Sequence, residues 1–135
     1  MAVFGDPATA VRAVLRALDA VGTVEVDGYT PRMRAGIHTG HPQRIGSDWL
    51  GVDVNIAARV MERATRGGLV ISHPTLERVT ENGALDELGV TVKKVRKQLF
   101  AAKPSGVPED LHMYWVKPAP QLGGADRFDA DAEGA

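Results

Sequence analysis

The run Asp48-Trp49-Leu50-Gly51-Val52-Asp53-Val54-Asn55-Ile56-Ala57-Ala58-Arg59 constrains this chain more than any other. A glycine breaks a short apolar stretch, and the residues after it have helical spacing from about Val52 to Ala64. Ile56, Val60 and Ala64 form an apolar row, and Asn55 and Arg59 lie beside it, four residues apart. Residues at i and i+4 share one helix face. The apolar row has to be buried against another element, while its neighbour offers an amide and a guanidinium to one small ligand. An amide that grips a polar group and a fork of donors that matches phosphate oxygens suit a nucleotide. The same spacing also allows a plainer arrangement, an exposed helical Arg59 paired with Glu62.

The rest of the chain reads as alternating helices and strands. Met1 to Phe4 looks like a short strand closed by Gly5. Asp6-Pro7 is a helix start, with Asp as the N-cap and Pro at the first helical position. Val11, Val14, Leu15, Leu18 and Val21 then recur at helical spacing until Gly22. Thr23 to Val26 suggests a short strand with a turn at Asp27-Gly28, and Arg32 to His38 a second. Residues 40–51 read as a Gly-rich loop or loose hairpin. Gly67-Gly68 stops the helix that follows, and Leu69 to Ser72 has the composition of a buried strand. Ser72 or His73, with Pro74 in the first turn, opens a helix through about Thr80, and Asn82-Gly83 makes a turn. Strands are expected around Val90, Val92 and Val95 and over Leu111 to Val116, with a loop at 101–110. The pattern predicts an α+β fold, an antiparallel sheet with helices packed on one face. Residues 1–117 form the domain, and 118–135, rich in Pro, Gly, Ala and acids, read as a disordered acidic tail.

Composition narrows the function. The 135 residues are 44% hydrophobic, enough for one modest core. Sixteen basic and 17 acidic residues give a net charge of −1, so no global basic character points to nucleic acid. Cysteine is absent, which removes disulfides, thiolate metal sites and a Cys nucleophile. No run is long enough to span a membrane and no signal peptide is visible, so a cytoplasmic location is the simplest expectation. His38, His41, His73 and His112 have no metal-ligand spacing. The cluster Lys93-Lys94-Val95-Arg96-Lys97 reads either as a solvated strand edge or as a phosphate contact.

Read with its flanks, the 48–59 run resembles the class III nucleotidyl (adenylate/guanylate) cyclase catalytic domain. The resemblance rests on Met1-Ala2-Val3-Phe4-Gly5, Arg34-Ala35-Gly36-Ile37-His38-Thr39-Gly40, the run itself and Gly67-Gly68-Leu69-Val70-Ile71-Ser72, four motifs in the family's order. It fades after Val79. It implies a ferredoxin-like core of which only the C-terminal part matches, with the family's two metal-binding Asp residues falling before Met1. Gly5-Asp6 is not that metal pair, because its position fits the helix cap.

What the family does is convert ATP or GTP to a cyclic nucleotide and pyrophosphate. The resemblance assigns Arg59 to stabilise charge on the reacting phosphate and Asn55 to orient the ribose. It places Asp48 where the purine is read, and an acid there favours ATP; a turn-forming Asp is the plainer reading. The family's second base-reading residue, a Lys, has no counterpart here. Lys94 is the nearest match to a triphosphate-contacting Lys, with Lys93 and Lys97 as rivals, although the Gly-rich context around that Lys is missing and residues 98–110 resemble an insertion. Mg or Mn is expected for the family, but no metal ligands are identified in this chain. The expectation is thus the purine-, ribose- and transition-state half of a dimeric adenylate cyclase site, inactive alone because the metal-binding segment is absent, with a homodimer or a partner cyclase domain as its assembly. A non-catalytic dimerisation or regulatory module that kept the fold is the alternative.

Overall fold

The computed structural model describes residues 1–96, 108 and 110–119. Its first element, α1, spans Pro7–Gly22. Asp6 caps it as the sequence requires: one carboxylate oxygen accepts from the Thr9 amide at 3.0 Å and from the Thr9 hydroxyl at 2.8 Å. These bonds, the hydroxyl's first, hold the Asp6 carboxyl below its ordinary value. Met1 to Phe4 pairs with no strand among the described residues, and Thr23 to Val26 supplies only an isolated bridge from Val26 to Tyr29, across the turn at Asp27 and Gly28.

Four strands form the main sheet. They are β1 (Arg34–Ile37), β4 (Gly68–Ser72), β5 (Val90–Lys94) and β6 (Met113–Pro118), in the order β1-β4-β6-β5. β1 and β4 run parallel, with Ile37 opposite Ile71, and the other two pairs are antiparallel. The sheet is therefore mixed. The chain between its parallel strands forms a small hairpin, β2 (Gln43–Ile45) with β3 (Asp48–Leu50), and then α2 (Val52–Glu62). Gly46 takes a φ of 65° in the two-residue hairpin turn, a setting that costs glycine nothing. Arg44 pairs across the hairpin with Trp49, its guanidinium 6.0 Å from the ring centroid. After β4 come α3 (His73–Glu81) and a short α4 (Ala84–Leu88).

Helices cover both faces of the sheet, not one. Leu69 and Ile71 of β4 and Val116 of β6 face α1, α3 and α4, and pack with Val11, Val79 and Ala84. Val70 and Met113 face the other way and pack with Ile56 and Val60 of α2 and with Ala64 just after it, the apolar row. The physical cause lies in β4. Leu69, Val70 and Ile71 are all apolar, so successive side chains on opposite faces both need cover. Val60 is fully buried, and burying such a side chain contributes about 1.5–3 kcal/mol. The architecture is α+β, a four-stranded sheet with packed helices, consistent with a truncated ferredoxin-like fold.

β6 runs one residue into the stretch read as tail: Pro118 pairs with Val90, and the Ala119 amide donates to the Gly89 carbonyl at 2.7 Å. Residues 120–135, the remainder of that stretch, and most of the 101–110 loop lie outside the described residues. No described helix is long and apolar enough to cross a membrane.

Candidate functional site

α2 is held against the sheet at two points. Near its C-terminal end the backbone of Met61 presses on Gly36 of β1; a Cβ on Gly36 would lie 2.2 Å from the Met61 nitrogen. Near its N-terminal end Asp53 accepts from two groups of the loop after β1. His38 Nε2 lies 2.8 Å from one carboxylate oxygen, and the His41 amide donates to the other at 2.9 Å. A Cβ on Gly40 would fall 2.2 Å from that carboxyl, so only glycine lets the loop close over it. The His41 amide first, then the His38 ring, hold the Asp53 carboxyl below its ordinary value.

Between α2 and the outer half of the sheet runs a groove of about 1000 Å³. α2 covers β1 and β4, which leaves the same face of β6 and β5 open beside it. Arg59, Glu62 and Arg63 come from α2, Arg66 from the turn after it, Lys93, Lys94 and Arg96 from β5 and its end, and Lys117 and Trp115 from β6. Among the described residues, seven cations thus face one carboxylate in the groove lining. Such segregation in a chain of net charge −1 concentrates positive potential where an anion fits. Trp115, opposite Lys93 in the register, adds an apolar wall.

Of the four residues singled out in the sequence, the groove brings two together. Arg59 and Lys94 both line it. Strand alternation places Lys93 on the face shared with Trp115 and Lys117, while Lys94 stands opposite Tyr114, whose ring joins the other core. Lys97 lies outside the described residues. Arg59 forms an i,i+3 pair with Glu62 at 2.7 Å, with side chains 38% and 49% exposed. That is the plainer arrangement allowed by the sequence, and an exposed pair of this kind contributes only about 0–1 kcal/mol. Asn55 is exposed on α2, one turn before Arg59, and Asp48 is exposed on β3 opposite Ile45; neither lines the groove.

The structure also assembles a constellation that no sequence motif announced. His38 Nδ1 lies 2.7 Å from Ser72 Oγ, which completes a Ser–His–Asp array with Asp53. It is not a nucleophile: Ser72 is fully buried, so no substrate reaches its hydroxyl. The only hint in the sequence was the mixture of polar residues, Ser72 and Thr75, flanking a buried strand, because such groups must find partners.

Among the described residues no three His, Cys, Asp or Glu side chains converge in a way that could hold a metal ion. Asp53, the acid nearest two histidines, is already engaged. The described residues therefore do not fit the Mg or Mn expected from the resemblance.

No family model matches the chain. A protein named pH-sensitive adenylate cyclase, from Mycobacterium tuberculosis, is 35% identical to it over 77 residues, which cover 57% of this chain and 19% of that protein. The chain thus matches about a fifth of that relative's length, and over that stretch the similarity supports a relation to an adenylate cyclase.

Proposed function

We propose that this chain supplies the purine-, ribose- and transition-state-facing half of an adenylate-cyclase-type site with ATP as substrate. The groove carries the reading, because it gathers Arg59 and Lys94 with five further cations around a space wide enough for a triphosphate. The similarity to a protein named adenylate cyclase supports it. In this reading Lys94, or its neighbour Lys93, neutralises the terminal phosphates. Arg59 leaves Glu62 and forks onto the oxygens of the reacting phosphate, where negative charge develops. Asn55 orients the ribose and Asp48 accepts from the adenine amino group. The metal-binding carboxylates would come from a partner cyclase domain that keeps them, so the chain alone, paired with its own copy or not, makes no cyclic AMP. A cytoplasmic setting follows from ATP as substrate.

One observation favours a second reading. Arg59 rests on Glu62, and neither Asn55 nor Asp48 shares its groove. A non-catalytic module that pairs with a cyclase domain would tolerate that arrangement. The test is complementation. The chain is mixed with a cyclase domain that keeps its metal-binding carboxylates but lacks its own Asn and Arg, and cyclic AMP is measured. Turnover should appear only in the mixture. Arg59→Ala should then cost about 2.7–4 kcal/mol of transition-state stabilisation, as for loss of one oxyanion donor. Unchanged turnover in Arg59→Ala, or turnover by the chain alone, would refute the assignment.

A further inference from the structure

Three elements meet at one buried imidazole that the groove does not use. His38 follows the last residue of β1, Ser72 ends β4 and Asp53 lies in the first turn of α2. The His38 side chain is 5% exposed and that of Asp53 33%. Behind Ser72 lies a chain of hydroxyls. Thr75 Oγ1 is 3.2 Å from Ser72 Oγ and 2.9 Å from Thr39 Oγ1, and it donates to the Ile37 carbonyl at 3.4 Å.

This chain serves either protonation state of the ring. With His38 neutral and its proton on Nε2, the ring donates to Asp53 and Ser72 donates to Nδ1. With His38 doubly protonated, Nδ1 donates to Ser72, whose own proton turns to Thr75, and Thr75 still donates to Ile37. No buried side-chain donor or acceptor among the described residues lacks a partner. What the proton changes is charge. The bond to the Asp53 carboxylate is charge-assisted in either state; an imidazolium turns it into an ion pair and adds the attraction of opposite charges. The groups that face the ring are Asp53 from α2, with His41 of the loop beyond it, and neutral hydroxyls from β4 and α3.

We propose that His38 and Asp53 are positioning residues that fix α2 to the end of the sheet, and that the His38 proton sets how firmly they do so. The inference rests on the reading of α2 as the helix that presents Asn55 and Arg59 to a nucleotide. Asp53 lies two residues before Asn55 and six before Arg59, on a helix pressed against Gly36 farther along. Any shift at its first turn therefore moves both.

The test combines a titration with a binding measurement. Nitrogen NMR of the intact chain is followed from about pH 5 to 8, the span in which imidazoles titrate. The Asn55 and Arg59 amides should follow the His38 ring nitrogens across that span. Inorganic tripolyphosphate then probes the groove by calorimetry. Asp53→Asn removes a negative charge, so electrostatics alone would tighten anion binding. Loss of the clamp should weaken it several-fold instead. Gly40→Ala pushes a Cβ into the Asp53 carboxyl without changing any charge, and should weaken binding similarly. The inference is overturned if the α2 amides do not move with the His38 ring nitrogens across that span, or if Asp53→Asn binds tripolyphosphate as tightly as the parent. Failure of the underlying reading shows separately, as Arg59→Ala binding tripolyphosphate with parental affinity while the α2 amides still follow the His38 ring.

Discussion

Gly36→Ala gives the sharpest test of how α2 is seated, because two mechanisms predict opposite signs. Gly36 lies in a strand and its φ is not in the left-handed region, so alanine can adopt its backbone. If nothing pressed on it, Ala would stabilise the fold by about 0.4–1 kcal/mol, by restricting the unfolded chain. But its Cβ would stand 2.2 Å from the Met61 nitrogen and 2.5 Å from the Met61 Cα, backbone atoms that have no rotamer to change. Ordinary contact begins near 3.4 Å, so α2 must lift by about 1.2 Å. Overpacking of this kind costs about 1–3 kcal/mol. The lift also loosens Ile56, Val60 and Ala64 over Val70 and Met113. Together these should destabilise the protein by at least about 2 kcal/mol, near the middle of the range for core strain. For a domain of this size that lowers the melting temperature by roughly 8 °C or more. Urea unfolding followed by circular dichroism measures it. A Gly36→Ala protein as stable as the parent, or more so, would show that the helix backbone does not rest on β1.

Two further outcomes follow from the polar groups. Glu62→Gln removes the sole acid among the described residues of the groove lining and releases Arg59, so tripolyphosphate should bind more tightly with weaker salt tolerance, as calorimetry at two salt concentrations reads, while stability to urea changes by less than about 0.5 kcal/mol, as expected for an exposed pair. Asp53 has a folded-state pKa below its unfolded one, so its contribution is present above the ordinary carboxylate value of 3.8 and is lost as pH falls through the folded value. Urea midpoints taken at successive pH values below about 5 should fall less steeply for Asp53→Asn than for the parent, with the residual slope owed partly to Asp6.

Much of the fold was legible where local chemistry decides it. Asp6-Pro7 fixes the start of α1, since cap residues act on their own neighbours, whereas α2 ends at Glu62 with Arg63 as its cap, short of Gly67-Gly68. The row Ile56, Val60, Ala64 announced a buried stripe and is one. Pairing was less legible. Val24 and Val26 have strand-like composition, yet no strand among the described residues reaches them, and composition cannot supply a partner. The parallel union of β1 with β4, and the cover on both faces, depend on where α2 crosses, which periodicity does not encode. α4 escaped notice because five residues are too few for a helical period to show. At the site, i,i+4 spacing correctly places Asn55 and Arg59 a turn apart, but the groove lies toward the C-terminal end of α2 and takes only Arg59. The His38–Asp53–Ser72 array joins residues 34 and 15 positions apart in sequence. Such contacts arise from topology alone.

β4 is paired along both edges and covered on both faces. Its residues therefore belong to two cores at once, Leu69 and Ile71 to one and Val70 to the other. Neither core can melt and leave its neighbour standing, because the strand that closes each is the wall of the other. Small domains gain all-or-none unfolding from a shared element of this kind. A partly unfolded form with α2 detached and the remaining helices intact would have to expose Val70 and Met113 to water, so the groove and the helices behind the sheet unfold as one unit.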